Sequence, residues 1–315
     1  MANLYYIQVT RECNQKCLFC SNPPNKRVLS LKEGKKLIDF YKKKGCEGII
    51  FSGGEPTLSP LLPEFLKYAA LKKIPSRIIT NGQKLADFKY LKILKDAGLN
   101  HVNLSMYSVR ESVQDFLADN PGSLKNILKA LENLGKIKGI AVNINTVINH
   151  YNAGHLLENV NFVVENFPFV NHFVWNNLDP STTRARKNKG TIAKLNEFEL
   201  SLHEAMAYLA NNKKTFRVER VPLCYLAGFE DASTETRKIV KSENRKTFFL
   251  DKRGFLNEED WKSKRGYSKS QCCRNCFLNS ICAGLYRKDK YYSSKELYPV
   301  FVDKEKIVNK IVYGE

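Results

Sequence analysis

The chain has 315 residues, 43% of them hydrophobic and 11% aromatic, enough to bury one large core and a smaller appendage. Fifty-one Lys and Arg against 32 Asp and Glu leave a net charge of +19, which favours an acidic partner, although solvated helix faces such as Lys42-Lys43-Lys44 account for it equally well. The N-terminus lacks the basic and apolar regions of a signal peptide and no apolar run reaches membrane-spanning length, so a cytoplasmic protein with no membrane association is expected, whose nine cysteines serve a metal centre and not a disulfide framework.

The first strand is read at residues 4–9. Ser30 followed by Glu33 is a capping-box signature, and Leu37, Ile38 and Tyr41 then recur at helical spacing before Gly45, which places the first helix. A strand at 48–52 precedes a helix at 61–71, a strand at 76–80, a helix at 88–97 stopped by Gly98, and a strand at 101–106. The alternation runs on through a helix at 124–134, a strand at 140–148, a helix at 156–166 ending near Pro168, and a sixth strand at 170–175. A polar, basic stretch at 179–190 leads to a helix at 193–211 and a short strand around 216–219. This rhythm predicts an α/β fold of repeated β-α units around a parallel sheet. From Pro222 the composition shifts to Gly, Lys and Cys with short apolar runs such as 247–250, as in a small module that relies on a metal centre, so the expected domains are 1–220 and 221–315.

Cys13, Cys17 and Cys20 form a C-x3-C-x2-C pattern directly after the first strand, at the edge where parallel sheets gather functional residues. A structural zinc closes on four ligands, whereas a cubic iron–sulfur cluster held by three thiolates keeps one iron free. Zinc completed by a distant fourth ligand is the competing reading. With Asn14 and Phe19 included, C-N-x2-C-x-F-C resembles the motif of the radical S-adenosylmethionine (SAM) superfamily. The resemblance implies a partial (β/α)6 TIM-like barrel and a [4Fe–4S] cluster on Cys13, Cys17 and Cys20, whose open iron chelates SAM. An external one-electron reductant would drive cleavage of SAM to a 5′-deoxyadenosyl radical that abstracts a substrate hydrogen.

Ser52-Gly53-Gly54-Glu55-Pro56 closes the second strand. Alone it is a turn whose glycines permit close backbone approach to a ligand. In the resemblance Gly53, Gly54 and Glu55 hold the amino group of SAM, Ser105 meets its carboxylate, and Phe19, Asn81 and Asn145 line its site. Asn81 and Ser105 also have ordinary explanations, as a turn residue and a strand-end cap. Related enzymes often carry an arginine after the fourth strand that pairs with the carboxylate; residues 112–117 contain none, so either Arg110 substitutes or the contact is absent.

Cys273, Cys276 and Cys282, with Cys224 upstream, resemble the shortened SPASM extension called twitch, which implies one auxiliary [4Fe–4S] cluster on these four thiolates. Tetrathiolate zinc is the alternative. Cys272 makes the register ambiguous; the family spacing selects Cys273. Cys46 reads as a small buried hydrophobe, and Phe173 and Trp175 as core.

The twitch-like extension implies an oxidoreductase or maturase that oxidises or cross-links a ribosomally made peptide or protein, acidic to suit the charge. With the triad so near the N-terminus, a separate peptide-recognition protein is expected in place of a fused domain. Dehydrogenation of a non-peptide small molecule and modification of tRNA are the alternatives. The ending Val312-Tyr313-Gly314-Glu315 lacks the glycine-arginine tail of the molybdenum-cofactor cyclase, which disfavours that enzyme. A zinc-dependent nucleic-acid-binding protein without radical chemistry is the reading from another class, and iron and sulfide content separates it from the rest.

Overall fold

A computed structural model describes residues 4–22, 25–241, 245–250, 256–261 and 266–314, with 245–250 and 256–261 described by their backbone. In chain order the elements of the sheet and its covering helices are β1 (Leu4–Thr10), α1 (Leu31–Lys43), β2 (Gly48–Gly53), α2 (Leu62–Leu71), β3 (Ser76–Thr80), α3 (Phe88–Asp96), β4 (Leu99–Ser105), α4 (Glu111–Ala118), α5 (Ser123–Gly135), β5 (Ala141–Ile148), α6 (Leu156–Asn166), β6 (His172–Asn177), α7 (Thr183–Lys187), α8 (Leu195–Asn211) and β7 (Thr215–Glu219). They are followed by α9 (Thr234–Lys241), β8 (Arg245–Leu250), β9 (Leu256–Trp261), the two-residue strands β10 (Tyr267–Ser268) and β11 (Leu285–Tyr286), and α10 (Lys304–Tyr313).

Strands β1 to β7 are parallel and lie side by side in sequence order, which is the partial TIM-like α/β barrel expected, with the short strand at 216–219 becoming its seventh member. The sheet does not stop at β1. There β8 adds in parallel and β9 returns antiparallel beside it, so β7 and β9 are the two edges of a nine-stranded open sheet. The apolar run at 247–250, expected in a separate small module, is therefore part of the main sheet.

Local chemistry explains the elements. The Ser30 side chain accepts the Glu33 N–H and Glu33 reaches back to the Ser30 N–H, a capping box that stabilises α1 by about 1 kcal/mol. Leu37, Ile38 and Tyr41 of that helix are buried on the sheet, and Phe51, Phe65, Trp175 and Phe198 are among the largest fully buried side chains. Each such residue contributes roughly 1.5–3 kcal/mol of burial free energy. Trp175 and Phe173 are core, as read from the sequence, whereas Cys46, read as buried, is only partly so and packs against that core.

Barrel interiors are usually filled with branched apolar side chains. Here Asn143 donates to Asn103 (2.9 Å) and Asn176 to Asn145 (2.6 Å), cross-strand pairs that leave the inside polar and open toward the C-terminal ends of the strands. The chain after β7 packs onto that end. Tyr286 donates to Asp179 (2.9 Å) and Tyr292 to the Leu178 carbonyl (2.7 Å), both in the loop that leaves β6. Among the described residues no helix is long and apolar enough to cross a membrane.

Candidate cofactor site at the C-terminal end of the barrel

A cavity of about 490 Å³ opens at the C-terminal ends of β1 to β7. Its lining includes Cys13, Cys17 and Cys20 together with Phe19, Gly53, Gly54, Glu55, Asn81, Ser105 and Asn145, so the three cysteines and the residues expected at the SAM site reach one space, whereas Asn14 of the cysteine motif is not among the lining residues. Among its lining residues the cysteines are three, all from one loop, which suits a cluster that keeps one iron open.

The cysteine loop is held from several sides. Gly54 N–H donates to the Thr10 carbonyl (2.8 Å) and Glu55 N–H to the Glu12 carbonyl (2.7 Å), which ties the end of β2 to the start of the loop. A Cβ on Gly53 would lie 2.0 Å from the Thr10 carbonyl oxygen, and one on Gly54 2.1 Å from that of Glu12. Both glycines are thus required by the approach of the loop backbone, and both also line the cavity. Asn22 donates to the Gly53 carbonyl (3.0 Å), Asn81 donates to Asn14 (2.8 Å), and Gln15 donates to Ser123 at the start of α5 (3.0 Å).

Burial pushes the Cys13 thiol up to about 11 and that of Cys17 to about 12, with Cys20 adding to both. A bound metal centre would take these groups as thiolates, so loading it displaces their protons. The Tyr107 hydroxyl lies 3.8 Å from Cys17 Sγ, and its ring meets Phe19 edge-on at 4.9 Å. Tyr107 has no local sequence signature; its place follows from the turn after β4, where its N–H donates to Gln114 (2.7 Å).

Glu55 is 1% exposed and its carboxylate is already occupied. Oε1 accepts from Thr57 N–H (3.1 Å), Thr57 Oγ1 (2.6 Å) and Thr80 Oγ1 (2.7 Å), and Oε2 accepts from Asn81 N–H (2.7 Å). Burial raises its carboxyl above the usual range, and the bonds from Asn81, Thr57 and Thr80 oppose that shift. Its carboxylate therefore joins the β2 and β3 loops and fixes Asn81. Glu55→Gln should turn an amide N–H₂ toward a donor at Asn81 or Thr57 and cost about 1–3 kcal/mol. The check is the urea midpoint of the metal-free protein; an unchanged midpoint contradicts the role.

Arg110 does not reach the cavity. Its guanidinium pairs with Glu158 at the surface, 2.5 Å from NH2 to Oε2, so it is not the substitute arginine. Arg220, which directly follows β7, does line the cavity, as does Asp179.

Three of the C-terminal cysteines lie near one another. Cys224 is buried in the turn after β7; burial pushes its thiol up to about 12, and Cys282 and Cys273 are close enough to raise it further. Cys276 Sγ accepts the Val300 N–H (3.4 Å) and Cys282 Sγ the Gly284 N–H (3.3 Å). Cys272 instead donates to the Leu297 carbonyl (3.6 Å). Among the described residues no three or more His, Cys, Asp or Glu side chains are gathered as the ligands of a single ion are.

Residues 7–163 match the family model described as the Radical SAM superfamily. An Fe-coproporphyrin III synthase of Methanosarcina barkeri (strain Fusaro / DSM 804) is 38% identical over 149 residues, 46% of this chain and 37% of the synthase. A PqqA peptide cyclase of Xanthomonas campestris pv. campestris (strain B100) is 31% identical over 153 residues, 47% of this chain and 40% of the cyclase. GTP 3',8-cyclases match over comparable spans, and the chain covers well under two thirds of these curated relatives. Among solved structures, native anSMEcpe with bound AdoMet and Cp18Cys peptide is similar with a TM-score of 0.62 at 17% identity, covering 99% of this chain and 97% of that one. The matched domain, with three cysteines opening on a single cavity at the strand ends, makes the chain an enzyme of the radical SAM superfamily, and membership implies a [4Fe–4S] cluster and binding of SAM.

Proposed function

We propose that Cys13, Cys17 and Cys20 hold the SAM-binding cluster, and that the enzyme abstracts hydrogen from a peptide or protein to give an oxidised or cross-linked product. The observation that carries the site assignment is the single cavity shared by the three thiols and the Gly53–Gly54 segment. Bound there, the cluster and SAM supply the hydrogen-abstracting radical chemistry, given an electron from an external reductant. The chain orients and shields. The backbone at Gly53 and Gly54 lies beside the cysteine loop, Ser105 at the end of β4 and Asn145 opposite it on β5 offer polar groups, and Phe19 and Tyr107 exclude water beside Cys17. Asn81, fixed by Glu55, steadies the loop through Asn14.

In the same reading, residues 221–315 are a twitch-like extension, two of whose strands, β8 and β9, continue the barrel sheet, and its Cys224, Cys273, Cys276 and Cys282 hold an auxiliary [4Fe–4S] cluster. The approach of Cys273 and Cys282 to Cys224 supports it, and the engagement of Cys272 with Leu297 favours the register through Cys273. The peptide substrate is supported by the likeness to the PqqA peptide cyclase and to the peptide-bound anSMEcpe structure. The synthase and GTP cyclase relatives support a small-molecule substrate as the second reading. Reduced enzyme with SAM, added to separate peptide and small-molecule extracts of the producing cells, distinguishes them by mass spectrometry. A SAM-dependent loss of hydrogen from a peptide is expected; change confined to the small molecules would overturn the peptide reading.

A further inference from the structure

Three charged side chains other than the cysteines line the cavity, Glu55, Asp179 and Arg220. Both carboxylates are satisfied internally. Glu55 accepts the four bonds described above, and Asp179 accepts from Ser181 N–H (2.9 Å), Ser181 Oγ (2.6 Å) and the Tyr286 hydroxyl (2.9 Å). Arg220 is different. Its Nε donates to the Asn177 carbonyl (2.6 Å), and its two terminal nitrogens have no hydrogen-bond partner among the described residues.

The backbone of Arg220 is fixed at an unusual angle. Its φ is +60°, a region that L residues with side chains occupy only when neighbours impose it. Its N–H donates to Glu235 Oε2 (3.2 Å), and its carbonyl accepts from Asn177 Nδ2 (3.3 Å). Backbone and Nε are thus locked while the far end of the guanidinium stays unpaired, which is how a preorganised ligand contact is built. Burial works against the charge, but Glu219, Tyr267, Asp179 and Glu235 around it outweigh that and keep it cationic.

We propose that Arg220 anchors a carboxylate of the substrate inside the cavity. Its terminal nitrogens form the planar fork that pairs bidentately with a carboxylate or a phosphate. The three acidic neighbours decide between the two, because a doubly charged phosphate would be repelled by them more strongly than a singly charged carboxylate. Arg220 follows β7, the last strand of the parallel run, whereas the cysteine loop follows β1, the first, and both line the one cavity. The anchor deepens the peptide reading, on which the source of the carboxylate rests: an Asp or Glu side chain of a peptide, where a free organic acid would carry the same chemistry.

The experiment is equilibrium dialysis of cluster-loaded, SAM-bound enzyme against labelled glutarate and against acetyl-Gly-Glu-Gly-amide, for wild type, Arg220→Gln and Arg220→Lys. SAM affinity and cluster content are measured on each protein. Arg220→Gln should weaken binding of both probes by about 10–100-fold, the worth of a charged hydrogen-bond pair, with Arg220→Lys between the two. Equal probe binding by wild type and Arg220→Gln overturns the anchor, as does failure of wild type to bind either probe. A parallel fall in SAM affinity or cluster content also overturns it, since the arginine would then hold the cofactor or the fold. Arginine-dependent binding of glutarate without binding of the peptide keeps the anchor and defeats the peptide reading.

Discussion

Replacing Cys273 and Cys276 together by Ala is expected to remove about four of about eight irons per chain, and to leave SAM cleavage intact while uncoupling it from substrate modification. Both thiols lie in the chain beyond β7, Cys273 near Cys224, and neither is among the residues lining the cavity at the barrel mouth. Cys276 and Cys282 already accept backbone N–H bonds, so their sulfurs are placed as acceptors even without metal. Removing ligands should loosen the short segments β10 and β11 and the turns around them, because thiolate ligation couples folding to metal. Iron and sulfide counts with Mössbauer spectra give the readout. Wild type with one cluster and zinc on the C-terminal thiols would defeat the auxiliary cluster, while the barrel site would stand. Cys272→Ala completes the test: its thiol is directed to the Leu297 carbonyl, so little iron should be lost.

The parallel run β1 to β6 was legible because most of its strands and helices carry their own period and stop, as at Gly45 and Gly98, whereas α4 was not read and the strand at 216–219 was not assigned to the run. The helix α1 was legible down to its cap, since Ser30 and Glu33 interact within one turn. The pairing of β8 with β1 was not, because it joins residues more than two hundred positions apart and no local pattern encodes that neighbour. The same limit governs the site. Spacing marked Cys13, Cys17 and Cys20, and resemblance to the family marked Gly53, Gly54 and Glu55, but their mutual roles needed the fold. The glycines admit the cysteine-loop backbone, and the Glu55 carboxylate bonds to Thr57, Thr80 and Asn81. Tyr107, Asn22 and Gln15 sit in ordinary local sequence and acquire their positions only when β1, β2, β4 and α5 meet. Arg220 lay at a composition boundary, with nothing nearby to show that the end of β7 faces the cavity. Arg110 was a reasonable candidate by position along the chain and is excluded by Glu158, a partner 48 residues away.

The central claim is that Cys13, Cys17 and Cys20 carry the cluster that cleaves SAM. Cys13 is exposed and Cys20 half-buried, and the buried Cys17 packs with Phe19, Tyr107 and Leu117 in a small core separate from that of the barrel, so the replacements should leave the barrel core intact. The most direct measurement is release of 5′-deoxyadenosine by anaerobically reconstituted, reduced enzyme, compared with a variant in which all three cysteines are Ala. Wild type should produce it and the triple variant should not, with the variant also missing the iron of that cluster. Release by the triple variant at the wild-type rate would contradict the account.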